Sequence, residues 1–177
     1  MTLRLITAAT TYPVDIDEVK LACRFDSSAL DAEIETMIDD CTRLTEHENN
    51  QCLMTQTFEY SCDAFPAKFE LTRNPVQSVT SITYVDGTGA TVTLAEDQYT
   101  LINDGFGFAR ITPAYGVVWP SVRGDIDGVK VRFVAGYASA ALVPGNFKRQ
   151  VKIFVSMLIE DPHSLDERMG AIGKVWS

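Results

Sequence analysis

Pro75-Val76-Gln77-Ser78-Val79-Thr80-Ser81-Ile82-Thr83-Tyr84-Val85 runs into Asp86-Gly87-Thr88-Gly89, and Thr91-Val92-Thr93-Leu94 resumes on the far side. This reads as a β-hairpin, because glycines in the connection permit the positive φ that a chain reversal needs. Upstream, Thr55, Thr57, Glu59 and Ser61 alternate with Met54, Gln56, Phe58, Tyr60 and Cys62. A period of two predicts a half-buried strand, which Phe65-Pro66 stops. Phe69 and Leu71 predict a short strand ended by Asn74-Pro75. Downstream, Tyr99–Ile102 and Phe108–Ile111 predict a Gly-rich pair around Asn103-Asp104-Gly105, and Val129, Val131 and Phe133 a last strand closed by Gly136. Thr112 to Asp127 reads as a loop with two prolines, of a length that is usually functional.

On both sides of this region the period changes to that of a helix. Asp15 and Glu18 stand three apart, the spacing of an N-cap and a returning carboxylate, so a short helix is predicted through Arg24. Asp26-Ser27-Ser28 offers a second cap, and Leu30, Ile34, Ile38, Cys41 and Leu44 recur at three- and four-residue steps toward Glu48. Asn49-Asn50 suits the left-handed residue that ends a helix. Pro144 opens a last helix that should end at Asp161-Pro162. Its stripe is Phe147, Val151, Phe154, Val155 and Leu158, with Ile153, Met157 and Ile159 off it. A helix apolar on more than one face must be covered on more than one side.

The expected class is therefore α+β: a helical bundle of two N-terminal helices and a C-terminal helix, with an inserted antiparallel β module. The predicted parts are 1–52 (helical), 53–137 (β module), 138–164 (the helix completing the bundle) and 165–177 (a tail).

The chain has 177 residues, 46% of them hydrophobic, enough to bury a sizeable core. The opening apolar run is too short for a signal-peptide core, and no run approaches the roughly 18 apolar residues of a membrane span. No membrane association is expected, and cytoplasmic synthesis is. Cys23, Cys41, Cys52 and Cys62 lack any metal-binding spacing and read as reduced thiols used as small apolar residues. The charge is uneven. Val14 to Glu48 holds eleven acids against three bases, which is −8 of the chain's −9. A surface of this sign repels phosphate, so these helices are poor DNA readers and read as a solvated face.

Motifs of catalysis are missing. His47 and His163 stand beside no nucleophile motif, and His47 at a helix end is explained by dipole and charge. Asp39 and Asp40 are helix neighbours about 100° apart, which do not face each other. Asp125-Ile126-Asp127-Gly128 lacks the remaining ligands of a calcium loop and reads as a turn. Gly105-Phe106-Gly107 precedes a strand, unlike a dinucleotide fingerprint. No enzyme, cofactor or metal is expected. The loop around Trp119 and the terminal Lys174-Val175-Trp176-Ser177 are better read as contact elements, since Trp is a common interface anchor.

One resemblance joins these segments. Val19-Lys20 with Arg24, Leu53-Met54-Thr55-Gln56-Thr57, the Pro75–Tyr84 run, Arg110-Ile111-Thr112-Pro113, Trp119-Pro120, Phe133-Val134-Ala135-Gly136-Tyr137 and Val143-Pro144 follow one another in order. From about Val14 to Glu160 the chain resembles the head-tail connector (adaptor) proteins of tailed bacteriophages, the gp6-like and gp15-like connector group (phage gp8-type family). The resemblance implies a structural virion protein at the head-tail junction, a homo-oligomeric ring of twelve copies docked on the portal protein. The ring would present a platform to a neck, tail-completion or tail protein, with DNA passing through its channel without specific binding. After Pro162 the sequence departs from the family, which often has a longer ending. Under this reading Leu165, Met169, Ile172 and Trp176 are candidates for portal docking, and Tyr115, Trp119 and Arg123 for ring or neck contact. Rival readings are a DNA-packaging or terminase-associated factor and a small hydrolase. An acidic, motif-poor chain argues against both.

Overall fold

The computed structural model describes residues 2–24, 27–103, 109–165 and 168. It is a mixed α+β fold. In chain order the elements are β1 (Thr2–Thr7), α1 (Ile16–Cys23), α2 (Asp31–Asn49), β2 (Gln56–Cys62), β3 (Phe69–Leu71), β4 (Val76–Val85), β5 (Thr91–Thr93), β6 (Tyr99–Ile102), β7 (Ala109–Pro113), β8 (Val129–Ala135) and α3 (Gly145–Glu160). The chain divides into two compact units, Met1–Ala8 with Thr55–Gly136 and Ala9–Met54 with Tyr137–Ser177.

The β unit holds two antiparallel sheets, ordered β1-β2-β8-β4-β5 and β3-β7-β6. On β8, Val129, Val131, Phe133 and Ala135 are buried while Lys130 and Arg132 are exposed, as a strand covered on one face requires. Phe58 of β2 lies opposite Phe133 with ring centroids 5.7 Å apart. The buried face of the second sheet comprises Phe69, Leu71, Ala109 and Ile111, and Tyr60 meets Phe69 edge-on at 6.0 Å. Each fully buried large apolar side chain contributes about 1.5–3 kcal/mol relative to exposure, so this interior is what holds the two sheets. The β4–β5 hairpin is as predicted. Asp86 Oδ1 accepts from Thr88 N–H at 2.8 Å and Ala90 N–H at 3.0 Å, and Gly89 adopts φ +91°.

Residues 1–52 are expected in the helical part, whereas Thr2–Thr7 is an edge strand of the larger sheet. Leu3 pairs with Tyr60 and Arg4 with Glu59. The pairing closes a loop of more than fifty residues and leaves no trace in the local pattern of Thr-Leu-Arg-Leu-Ile-Thr. At the other boundary, Leu53 and Met54 belong to the helical core, so β2 starts at Gln56.

In the helical unit Asp15 caps α1, accepting from the Glu18 N–H at 2.7 Å, and Arg24 closes it in the left-handed region at φ 55°. Of the expected cap Asp26-Ser27-Ser28, Asp26 lies outside the described residues, and Ser27 and Ser28 do not cap α2. Ser27 Oγ accepts from Ala29 N–H and Ser28 O from Asp31 N–H, so this segment forms a turn ahead of the helix, and Leu30 stands at the N-cap position. Asn50 ends α2 at φ 51°. Ile34, Ile38, Cys41 and Leu44 of α2, Val151, Phe154 and Val155 of α3, and Val19 of α1 share one core. Phe147, Met157, Leu158 and Ile159 pack around it, while Ile153 is 49% exposed. A polar seam runs beside this core. Glu46 Oε1 accepts from Leu53 N–H at 2.7 Å, Asn49 Nδ2 donates to Gln150 Oε1 at 3.1 Å, and Gln150 Nε2 to Glu48 Oε2 at 3.0 Å. The four cysteines are free thiols, three of them buried. Burial pushes the Cys41 thiol up to about 12, so it stays protonated and serves as packing. None of the described helices is long and apolar enough to cross a membrane.

Candidate interaction surface

Residues 114–128 join β7 to β8 without regular structure, yet hydrogen bonds fix them at several points. Ala114 N–H donates to Gln98 O at 3.0 Å, and Val117 N–H closes a turn on Ala114 O at 2.9 Å. Gly116 occupies that turn at φ +78°, the positive φ that a type II turn requires at its third residue. Arg123 N–H donates to Val85 O at 3.1 Å and ties the loop to the end of β4.

Trp119 folds back onto its own unit. Its ring stacks on Phe65 at 4.9 Å and 13° and meets Phe69 edge-on at 5.8 Å, while Phe65 also contacts Tyr84 at 5.6 Å. Its indole Nε1 is buried with no hydrogen-bond partner among the described residues. Trp119 is thus the buttress of the loop. The side chains it holds outward are different ones: Tyr115 is 105% exposed, Val118 84% and Ile126 89%.

Arg123 is bound by both carboxylate oxygens of Asp125, at 2.9 and 2.7 Å, and this pair followed by Asp86 raises the guanidinium further above its ordinary value. Asp125–Gly128 is the turn that the sequence suggested, with Gly128 N–H on Asp125 O at 3.0 Å. Asp127 accepts from Ser61 Oγ at 2.7 Å, and its N–H donates to Asp63 Oδ1 at 2.9 Å. These carboxylates are consumed in shaping the loop, and no cluster among the described residues could hold a metal ion.

The candidates from sequence are therefore distributed as follows. Tyr115, Trp119 and Arg123 lie on one loop, with Tyr115 projecting, Trp119 anchoring and Arg123 pinned on the exposed surface. Leu165 is 1% exposed and belongs to the helical core, so it is not available as a surface contact. Met169, Ile172 and Trp176 lie outside the described residues. Arg168 pairs with Glu48 at 2.9 Å and lies over the Phe154 ring at 5.1 Å, which ties that position to the helices. His47 is in the last turn of α2 and His163 in the turn that follows α3. Val118 and Ile126 escaped the sequence reading. Val118 is masked by the neighbouring Trp, and Ile126, between two acids, had only turn chemistry to mark it.

No protein-family model and no curated protein matches this sequence. Solved structures do share the fold. A chain of the virion of a native gene transfer agent (GTA) particle aligns with TM-score 0.78 and 23% identity over 99% of this chain and 95% of that one. A chain of the neck of an empty GTA particle, computed with C6 symmetry, gives 0.74 and 20% over 97% and 95%. A chain of the neck of a native GTA particle, computed with C12 symmetry, gives 0.72 and 21% over 97% and 94%. The similarity is one of whole chain to whole chain, covering both the helical and the β unit.

Proposed function

We infer that this chain is a structural, non-enzymatic protein of the neck of a tailed phage or phage-like particle. In this reading it is a head-tail connector, or adaptor, whose copies form a ring around the DNA channel and join the portal to the neck or tail. One observation carries the reading: the end-to-end agreement of fold with chains taken from GTA necks and a GTA virion. A fold can host many functions. Here the ordered apolar loop and the acidic helices fit a contact protein better than a catalyst.

A ring of twelve copies satisfies both the sixfold and the twelvefold symmetry with which the neighbouring necks were computed. The three helices form the bundle of each copy, the tail beyond residue 168 docks on the portal, and Tyr115, Val118 and Ile126 meet the next component. The acidic helices help DNA slide past without adhering, because surfaces of like sign repel the phosphate backbone. Mixing the purified chain with the portal protein of its own particle and imaging the product tests the reading. A second ring stacked on the portal is expected. Portals that remain bare at every concentration of the chain would remove the adaptor assignment.

A further inference from the structure

Two adjacent rows on the outer face of the larger sheet are polar. Register places Thr2, Ser61, Lys130, Thr83 and Thr93 in one row across it, and Arg4, Glu59, Arg132 and Ser81 in the next. Arg4, Lys130 and Arg132 are exposed. Of the acids nearby, Glu59 is paired with Arg132 at 2.8 Å, while Asp127 accepts from the Ser61 hydroxyl at 2.7 Å and keeps its charge. Arg4 and Lys130 form no salt bridge among the described residues. In a chain of net charge −9, the strands of this face carry three bases, Arg4, Lys130 and Arg132, against one acid, Glu59.

The opposite sign is concentrated on α2. Glu35 is exposed and Asp39 stands one turn further along the same side of that helix, with Arg43 paired to Asp39 at 2.9 Å. The nearby Tyr12 phenol reports the local field. Burial raises it first, and Asp39, Glu35 and Asp40 each raise it further, against Arg43 alone lowering it. Asp40 itself is raised by burial and by Asp39. This side of α2 cannot abut its own kind in another copy without like charges facing one another.

A closed ring of identical chains joins two different surfaces of each copy, since a head-to-tail contact is what generates rotation. We propose that the Arg4–Lys130–Arg132 sheet face of one copy docks on the Glu35–Asp39 side of α2 in the next copy, a contact that rests on the ring reading above. Charge complementarity selects a second copy as the occupant. The pairing also explains how a chain this acidic tolerates close packing with itself. Exposed charge pairs weaken over a Debye length of about 8 Å at physiological ionic strength, so the contact should be salt-sensitive.

The test uses three full-length samples: wild type, Arg4→Glu/Lys130→Glu, and Glu35→Lys/Asp39→Lys. Each is checked for native circular dichroism, then for ring formation by light scattering and negative-stain imaging across a salt series. Each reversed variant alone should need at least about tenfold more protein than wild type to assemble. An equimolar mixture of the two should assemble again, because the reversed sheet face then meets the reversed helix. If either reversed variant loses native structure, Arg4→Gln/Lys130→Gln with Glu35→Gln/Asp39→Asn takes its place, with weakened assembly expected for each. If wild type makes rings and the reversed variants make them equally well, the docking is wrong while the ring reading stands. Wild type that never assembles, alone or on a portal, overturns both. Duplex DNA bound by wild type and released by Arg4→Glu/Lys130→Glu, with assembly unchanged, would assign the face to phosphate and overturn the proposal.

Discussion

Trp119→Ala separates the support of the 114–128 loop from its contacts. The substitution removes a stacked contact with Phe65 at 4.9 Å and an edge contact with Phe69 at 5.8 Å. Aromatic pairs contribute about 0.5–1.5 kcal/mol each beyond area burial, so the two account for roughly 1–3 kcal/mol. Half-burial of the ring adds about 1 kcal/mol of apolar transfer, half or less of what full burial of a large side chain yields. A loss near 3 kcal/mol is expected, which for a chain of this size lowers Tm by roughly 6–12 °C. Tyr115→Ala removes a side chain that is fully exposed and should change stability by less than about 0.5 kcal/mol. Thermal and urea unfolding, followed by near-ultraviolet and far-ultraviolet dichroism, measure both, with the Trp119→Ala loss confined to the transition of the β unit. Assembly gives the second readout: Tyr115→Ala should weaken it with stability intact. If Trp119→Ala cost less than about 1 kcal/mol, the indole would not be the buttress and the reasoning from ring geometry would fail.

Asp15→Ala should destabilise the helical unit by about 1 kcal/mol, by loss of the 2.7 Å cap bond to Glu18, with Asp15→Asn retaining most of it; urea midpoints at constant m measure this. Gly89→Ala meets two obstacles, a φ of +91° and a new Cβ 2.5 Å from Arg123 Nη1. Adding Arg123→Ala should relieve the clash and leave roughly the 1–2 kcal/mol of left-handed backbone strain, a partial rescue that a double-mutant cycle would detect. Asp40 has a folded-state pKa raised by burial and by Asp39, so its ionisation opposes folding. The sign follows: stability associated with this group is present below the ordinary value of 3.8 and is lost as pH rises through the raised folded value. Asp40→Asn should therefore raise Tm near neutrality and leave it unchanged in acid below that value; a Tm gain equal at both pH values would refute the titration.

The parts of the fold that were legible in the sequence are those set by contacts near in the chain. The Asp15 cap, the Asn50 terminus, the 86–89 connection and the start of α3 after Pro144 each depend on a few consecutive residues. Three features were not legible, for one reason. The placement of β1 beside β2, the insertion of β8 between β2 and β4, and the division of the strands into two sheets are choices of partner across long separations. Alternation announces that a strand has a buried face and says nothing of which strand lies beside it. The failed α2 cap is a smaller case. Ser27 has cap chemistry, but its hydroxyl accepts from Ala29 ahead of the helix, and Ser28 meets Asp31 only through its backbone carbonyl.

The contact surface was half legible for a different reason. Trp119 drew attention as a large apolar residue in a loop, and the same property lets it fill the space over Phe65 and Phe69, so the residue most conspicuous in sequence is the one turned inward. What it leaves outside are Tyr115, Val118 and Ile126, whose exposure is a property of the anchored backbone. Single exposed apolar residues are ordinary. Three on one hydrogen-bonded loop incur no large ordering cost on binding, since the turn at Ala114–Val117, the Arg123–Val85 bond and the Asp125–Gly128 turn are already made. The sheet face carrying Arg4, Lys130 and Arg132 was illegible until β1 was placed, because Arg4 reaches that face only through its register with Glu59. Charge counted along the chain assigns nearly all of the negative excess to residues 14–48. Only the pairing of strands turns the near-neutral remainder into a face of opposite sign, and so gives the acidic helix a surface of the same protein that it can meet.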